Sequence, residues 1–247
     1  MSRCFKNKRA TFMILGDICT RSCSFCAVGK TGATRLFLDE DEPTRIAQVV
    51  KIMNLRYVVI TSVTRDDLTD GGAVQFVRTV EAIRRVNQYI KIELLIPDFA
   101  GKICSLKCVL DTKPDVIAHN METVPRLYPH LRPQADYQLS LDILSRIKEL
   151  SPAMITKSSL MLGLGEDMRE VVKVMQDLRA AGCDILTLGQ YLVPSLSHYP
   201  VKEFIPIEQF QQYAVIAKVL KFKKVFSAPL ARSSYDAENL HQELSYV

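Results

Sequence analysis

Short apolar runs alternate with amphipathic stretches along most of this chain. TFMILG (11–16) is a continuous apolar run of strand length, bounded by polar residues. EPTRIAQVVKIMN (42–54) repeats its apolar residues at helical spacing. Pro43 sits near its first turn, where the missing N–H is no loss. The alternation continues with strands predicted at 57–62, 90–97, 115–120, 154–162 and 184–192. Helices are predicted between and after them at 73–86, 103–111, 137–150, 168–181 and 207–221, with Gly182 as the C-cap of the helix before it. KVFSAPL (224–230) closes the pattern.

These are six βα units in succession. Strands built of nearly continuous Val, Ile and Leu are buried on both faces, as parallel strands are. The class is therefore α/β with a parallel sheet, either doubly wound or curled into a barrel. In both arrangements the chemistry sits where strands end and loops begin. Each strand here runs into a polar cluster, among them GDICTRSC, TSVTRDD, HNMET and GLGED. By that placement Thr61, Ser62, Arg65, Asp66, Asn120, Glu122, Lys157 and Gln190 are candidates to line a pocket mouth. Helix capping and loop bracing are the alternative for each.

A length of 247 residues suits one sizeable core, so the chain reads as a single domain over 1–247. No apolar run approaches the roughly 20 residues of a membrane span. The basic start MSRCFKNKRA has no apolar stretch of a signal peptide. The expected location is the cytoplasm, or else the chain is a fragment without its targeting segment. The net charge of +5 is mild. Its clusters KNKR (6–9) and KFKK (221–224) carry no interleaved aromatic ladder, so no nucleic-acid partner is expected, and no membrane.

Cysteine changes the picture. Seven is an odd count for a chain read as cytosolic, and metal binding or catalysis is the default there. Cys19, Cys23 and Cys26 fall within CTRSCSFC, spaced C-x3-C-x2-C just after the first strand. The four histidines lie far from them in sequence, so the spacing is wrong for a common zinc finger; a distant fourth zinc ligand stays open. Three thiolates on a four-iron cluster explain the count better, because they leave one iron open for a substrate. With Phe25 between the last two cysteines, the stretch resembles the radical S-adenosylmethionine superfamily. The resemblance implies a partial (β/α)6 barrel. It also implies a [4Fe–4S] cluster whose open iron chelates S-adenosylmethionine. Reductive cleavage then releases methionine and leaves a 5′-deoxyadenosyl radical.

Further stretches are similar to one family, the lipoyl synthases: ATFMILGDICTRSCSFC (10–26), TSVTRDDLTDGGA (61–73), ELLIPDF (93–99), HNMETVPRLYPHLRP (119–133), GLGE (163–166), LTLGQYLVPS (186–195) and ARSSYDAE (231–238). HNMETV and RSSY argue against a biotin-synthase relative. The resemblance implies insertion of sulfur at C6 and C8 of an octanoyl group on a lipoyl carrier domain or the glycine-cleavage H protein. An electron donor such as ferredoxin or flavodoxin is implied with it. The sulfur would come from a second, auxiliary [4Fe–4S] cluster held by three N-terminal cysteines and a serine of the Arg-Ser-Ser-Tyr motif. Here that motif is Arg232-Ser233-Ser234-Tyr235, with Ser233 assigned as the ligand and Ser234 as the alternative. The oxygen ligand is a harder partner for iron than thiolate, and its bond is expected to be the labile one.

The resemblance thus assigns Cys19, Cys23 and Cys26 to the radical cluster and Cys4 with Ser233 to the auxiliary one. Phe25, Thr61, Ser62, Asn120, Glu122 and Lys157 are assigned to cofactor binding. Residues 1–10 read as the remnant of the auxiliary-cluster segment, and 228–247 as a C-terminal extension. Only Cys4 of the three expected N-terminal cysteines is present. The chain is therefore expected to be truncated, mis-started or a genuine variant. The alternative function is a degenerate paralogue that binds a radical-type cluster without completing sulfur insertion. Cys104 and Cys108, four apart on a predicted helix, and Cys183 read as core packing. The first two are also spaced to pinch a metal.

Overall fold

The computed structural model describes residues 8–31 and 36–233. By the density of its contacts the chain falls into two compact units. One comprises Met1–Thr20 with Val28–Ala118, the other Arg21–Ala27 with His119–Val247.

The first unit carries four strands in parallel, β1 (Arg9–Ile14), β2 (Tyr57–Ser62), β3 (Lys91–Leu95) and β4 (Val116–Ala118). The register sets Arg9 beside Tyr57, Tyr57 beside Lys91 and Glu93 beside Val116. Val58, Ile60, Ile92 and Leu94 are fully buried, which is why these strands read as unbroken apolar runs. Helices α1 (Glu42–Ile52), α2 (Ala73–Val86) and α3 (Ile103–Asp111) provide the crossovers. Pro43 opens α1. Gly72 enters α2 with φ +90°, a conformation that disfavours any residue with a Cβ.

α3 overturns one expectation. Cys104 and Cys108 are exposed, not core. The helix buries Ser105, Leu106, Val109 and Leu110. The two cysteines stand one residue out of phase with that face, about 100° round the helix. Small size does not bury a residue whose phase points outward.

The second unit carries β5 (Ile155–Leu162), β6 (Ile185–Gln190) and β7 (Lys224–Ser227), also parallel and adjacent in that order. Around them are a one-turn helix α4 (Tyr128–Leu131), α5 (Tyr137–Leu150), α6 (Met168–Ala180) and α7 (Ile207–Val219). Asp136 caps α5 by accepting from the Leu139 N–H. Asp167 and Glu170 form a reciprocal capping box at the start of α6. Gly182 follows α6 with φ +81°, the left-handed exit its position promised. Cys183 is fully buried, as expected, and burial pushes its thiol pKa up to about 12.

Before β6 the buried Asp184 ties the lower ends of this unit together. It accepts from Lys148 on α5, from the Thr156 N–H on β5 (3.0 Å) and from Lys223 ahead of β7 (3.0 Å). Lys223 of the KFKK cluster is thus engaged, and Phe222 is buried.

Candidate active site

Cys19 belongs to the first unit, at the end of a two-residue strand (Ile18–Cys19) paired in parallel with Gly29–Lys30. Its sulfur accepts from the Thr64 N–H at 3.3 Å, and its carbonyl accepts from both the backbone and the hydroxyl of Thr31. Asp66 pairs with Thr20, while the buried Arg65 forms a bidentate ion pair with Asp67. Of the expected pocket residues in this unit, Thr61 and Ser62 end β2, and the buried Ser62 hydroxyl has no hydrogen-bond partner.

The rest of the cysteine loop belongs to the second unit. Its two serines tether it. Ser22 donates from backbone and hydroxyl to the Gln134 side chain, at 2.9 and 3.0 Å, and Ser24 donates to the carbonyls of Leu131 and His130. The Cys26 N–H closes a turn onto the Cys23 carbonyl. Cys23 lies in the field of Arg132. Burial works against the charge of that guanidinium, but Tyr128, Glu122 and Cys23 outweigh it and raise its pKa. Arg132 also donates to the carbonyls of Asn120 and Met121 and to the Tyr128 hydroxyl. It therefore brings a fixed positive charge to the thiol and braces the segment after β4 at the same time.

That segment is held in strand-like contact with β5. The Glu122 N–H donates to Ser159 and its carbonyl accepts from Met161, while Glu122 itself has φ +65°. A left-handed glutamate is uncommon and is kept only where its surroundings determine it. Its carboxylate accepts from the Asn120 amide at 3.0 Å. Burial pushes its pKa up, against the opposing pull of Arg132 and Asn120.

These groups open onto a cavity of about 320 Å³ within the second unit. Its polar wall includes Asn120, Glu122, Ser159, Thr187 and Gln190; its apolar wall includes Phe25, Leu160, Met161, Tyr191 and Leu192. Cys26 enters from the cysteine loop, and Arg232 and Ser233 enter from the far end of the described chain. The buried Asn120 Oδ1 and Thr187 Oγ1 have no hydrogen-bond partner. Such atoms carry a desolvation cost unless a ligand meets them. The cavity has the size and the mixed walls of a small-molecule site, and its unmet polar atoms fit an adenosyl amino acid.

Five of the expected site residues, Phe25, Cys26, Asn120, Glu122 and Ser233, thus share one cavity. Gln190 is on the wall, but its amide is already spent. It donates to the carbonyls of Tyr191 and Glu203 and accepts from the Ile205 N–H. Lys157 is buried and donates to the Ser233 carbonyl instead of forming the wall. Thr187 and Arg132 went unread in the sequence; a threonine inside the run ILTLGQ was the available signal for the first. GLGE proves to be a protein-braced turn. Glu166 accepts from the Gly163 and Leu164 N–H groups, and a Cβ on Gly163 would lie 2.2 Å from the Glu203 carbonyl oxygen. Cys4, Ser234 and Tyr235 lie outside the described residues. Among the described residues no three His, Cys, Asp or Glu side chains gather around one point as a single-ion cage. A four-iron cluster carries its thiolates on separate irons and needs no such cage; the thiols of Cys19, Cys23 and Cys26 are each half-buried.

Parallel βα units and a cysteine loop feeding a strand-end cavity define a class. The family model described as the Radical SAM superfamily matches residues 13–178. Among solved structures, methylornithine synthase superposes with a TM-score of 0.62 at 13% identity, covering 97% of this chain and 82% of that one. The fold class is thus the partial (β/α)6 barrel of the radical SAM type. Within that class, the lipoyl synthase of Caldicellulosiruptor saccharolyticus is 52% identical over 95% of this chain and 82% of its own length. The lipoyl synthase of Geotalea uraniireducens is 53% identical over 96% and 83%. The chain belongs to the lipoyl synthase family, whose members are sulfur-inserting radical enzymes. Identity of this extent does not favour the degenerate-paralogue alternative.

Proposed function

We propose that this enzyme inserts two sulfur atoms, at C6 and C8, into an octanoyl group carried on a lipoyl domain or on the glycine-cleavage H protein. The observation that carries this reading is the convergence of Phe25 and Cys26 from one motif with Arg232 and Ser233 from another on a single cavity. More than 200 residues separate the two motifs in the chain. The domain reading, one radical SAM domain over 1–247, is supported by the superfamily match, which runs through both compact units.

In this proposal Cys19, Cys23 and Cys26 hold the radical [4Fe–4S] cluster, and Cys4 with Ser233 serves an auxiliary one. With S-adenosylmethionine bound, the first cluster supplies hydrogen-atom abstraction at the substrate carbons. The protein's own groups do the rest. Arg132 sets a positive charge by Cys23, which favours the thiolate a metal needs. Asn120 turns an unmet carbonyl oxygen to the ligand, and Glu122 offers a carboxylate to the ammonium of its amino-acid end. Thr187 supplies a hydroxyl, and Thr61 and Ser62 remain proposed cofactor-binding residues at the end of β2. Phe25, Leu160, Met161, Tyr191 and Leu192 exclude water from the carbons being activated. The proposed electron donor is a ferredoxin or flavodoxin, and the proposed location is the cytoplasm. Among the described residues no helix is long and apolar enough to cross a membrane.

The test is mass spectrometry of an octanoylated lipoyl domain incubated with reconstituted enzyme, S-adenosylmethionine and a reductant. Product carrying two added sulfurs is expected. Formation of 5′-deoxyadenosine with no sulfur on the carrier overturns the reading.

A further inference from the structure

Ser233 reaches the cavity at the end of a segment that leaves β7 and stays paired with β6 only at its start, where the Ala228 N–H donates to the Leu188 carbonyl at 3.2 Å. Something must hold the rest there. Three further contacts do. The Gln190 N–H at the end of β6 donates to the Pro229 carbonyl at 3.1 Å. The segment then passes so close over Gly189 that a Cβ there would lie 2.1 Å from the Ala231 oxygen and 3.1 Å from the Arg232 guanidinium. Finally, the Lys157 ammonium, on β5 and 1% exposed, donates to the Ser233 carbonyl.

A lysine this buried is uncommon, because desolvating an ammonium is costly unless it is matched. Here one match is the backbone of the residue that delivers a side chain to the cavity. We infer that Lys157 is a positioning residue, which with the missing side chain of Gly189 fixes the 229–233 segment so that Ser233 stands at the cavity wall. Lys157 touches neither substrate nor cofactor in this role; it acts through Ser233. The functional consequence rests on the proposed role of Ser233 as an auxiliary-cluster ligand. A serine oxygen is a poor iron ligand beside thiolate. It has little affinity with which to pull a loose segment into place, so the protein must set its position beforehand.

The test uses the reconstituted full chain and Lys157→Met, which keeps length and burial but removes the donor. The exposed Arg232 makes the Arg232–Ser233 bond a trypsin site. Loss of a charge-assisted hydrogen bond to the segment is expected to raise nicking there by roughly tenfold or more. The Mössbauer signature of the auxiliary cluster should change as it does in Ser233→Ala, with the iron of the first cluster retained. Gly189→Ala, with Lys157 intact, should loosen the same bond, and it carries the test if Lys157→Met fails to fold. Unchanged nicking in a folded variant overturns the inference. So does faster nicking with an unaltered signature where Ser233→Ala alters it. If Ser233→Ala itself leaves the signature unchanged while Lys157→Met loosens the segment, the ligand reading falls and the anchoring stands.

Discussion

Asp184→Asn separates the end of the second unit that holds it together from the end that carries the site. Asp184 is 5% exposed, and its ion-pair partner Lys148 is 20% exposed. The amide can still accept from the Thr156 N–H, but both lysines lose their counter-charge. Lys223 is half-exposed, and its share is screened by solvent. Lys148 is not, and stranding a largely buried charge costs about 3 kcal/mol. For a chain of this size that corresponds to a fall in Tm of roughly 6–12 °C. Asp184 precedes β6, whereas the cavity is reached from the other end of the strand at Gly189 and Gln190. Activity per folded molecule at low temperature should therefore stay at the wild-type level. The charges around Asp184 hold its pKa below the usual carboxylate range in spite of its burial. Its stabilising contribution is complete above the unfolded value of about 3.9 and is lost as pH falls through the folded one. The assay is calorimetry of wild type and variant from pH 8 to pH 3, with product formation measured at 20 °C or thereabouts. A Tm gap that persists undiminished at the lowest pH would refute the charge argument. A loss of specific activity larger than the loss of folded protein would refute the division of labour.

Three further outcomes follow from the same geometry. Glu122→Gln keeps the Asn120 hydrogen bond but removes a carboxylate whose folded pKa burial has raised, so the variant should melt higher than wild type at pH 8. The two should converge towards pH 4, while S-adenosylmethionine affinity measured by calorimetric titration falls; a lower Tm at pH 8 would contradict this. Iodoacetamide footprinting of the folded protein should modify Cys104 and Cys108 and leave Cys183 untouched until denaturant is added, because the first two are exposed while Cys183 is buried and its burial raises its thiol pKa. Gly163→Ala combines φ +93° with a 2.2 Å approach to the Glu203 oxygen and should cost about 2 kcal/mol or more in urea unfolding; a neutral result would mean that this turn is not tight.

How much of this molecule could be read before folding it depends on the range of the forces involved. The helices at 73–86, 103–111 and 137–150 have the bounds their periodicity predicted, and the strand at 57–62 does too, because apolar period and terminal residues act locally. The first strand kept its length but lies two residues earlier, at Arg9–Ile14. The remaining strands came out shorter than their apolar runs, since pairing ends where the partner does; the run 115–120 keeps only Val116–Ala118. Family membership was legible because long ordered motifs survive in the sequence itself. Side-chain meetings were not. Nothing local to Lys157 says that its ammonium ends on a carbonyl 76 residues away, or that Gln190 is consumed by Glu203 and Ile205. Helix α3 makes the same point from the other side: residue type placed Cys104 and Cys108 in the core, and the phase set by Leu106, Val109 and Leu110 turned them out. The sequence by itself determined which elements form and what class of chemistry they serve, since both depend on near neighbours and on retained motifs. Only the tertiary structure decided which polar groups share a cavity and which are spent on bracing it, because each donor and acceptor is claimed by whatever the packing of distant segments brings within hydrogen-bond reach.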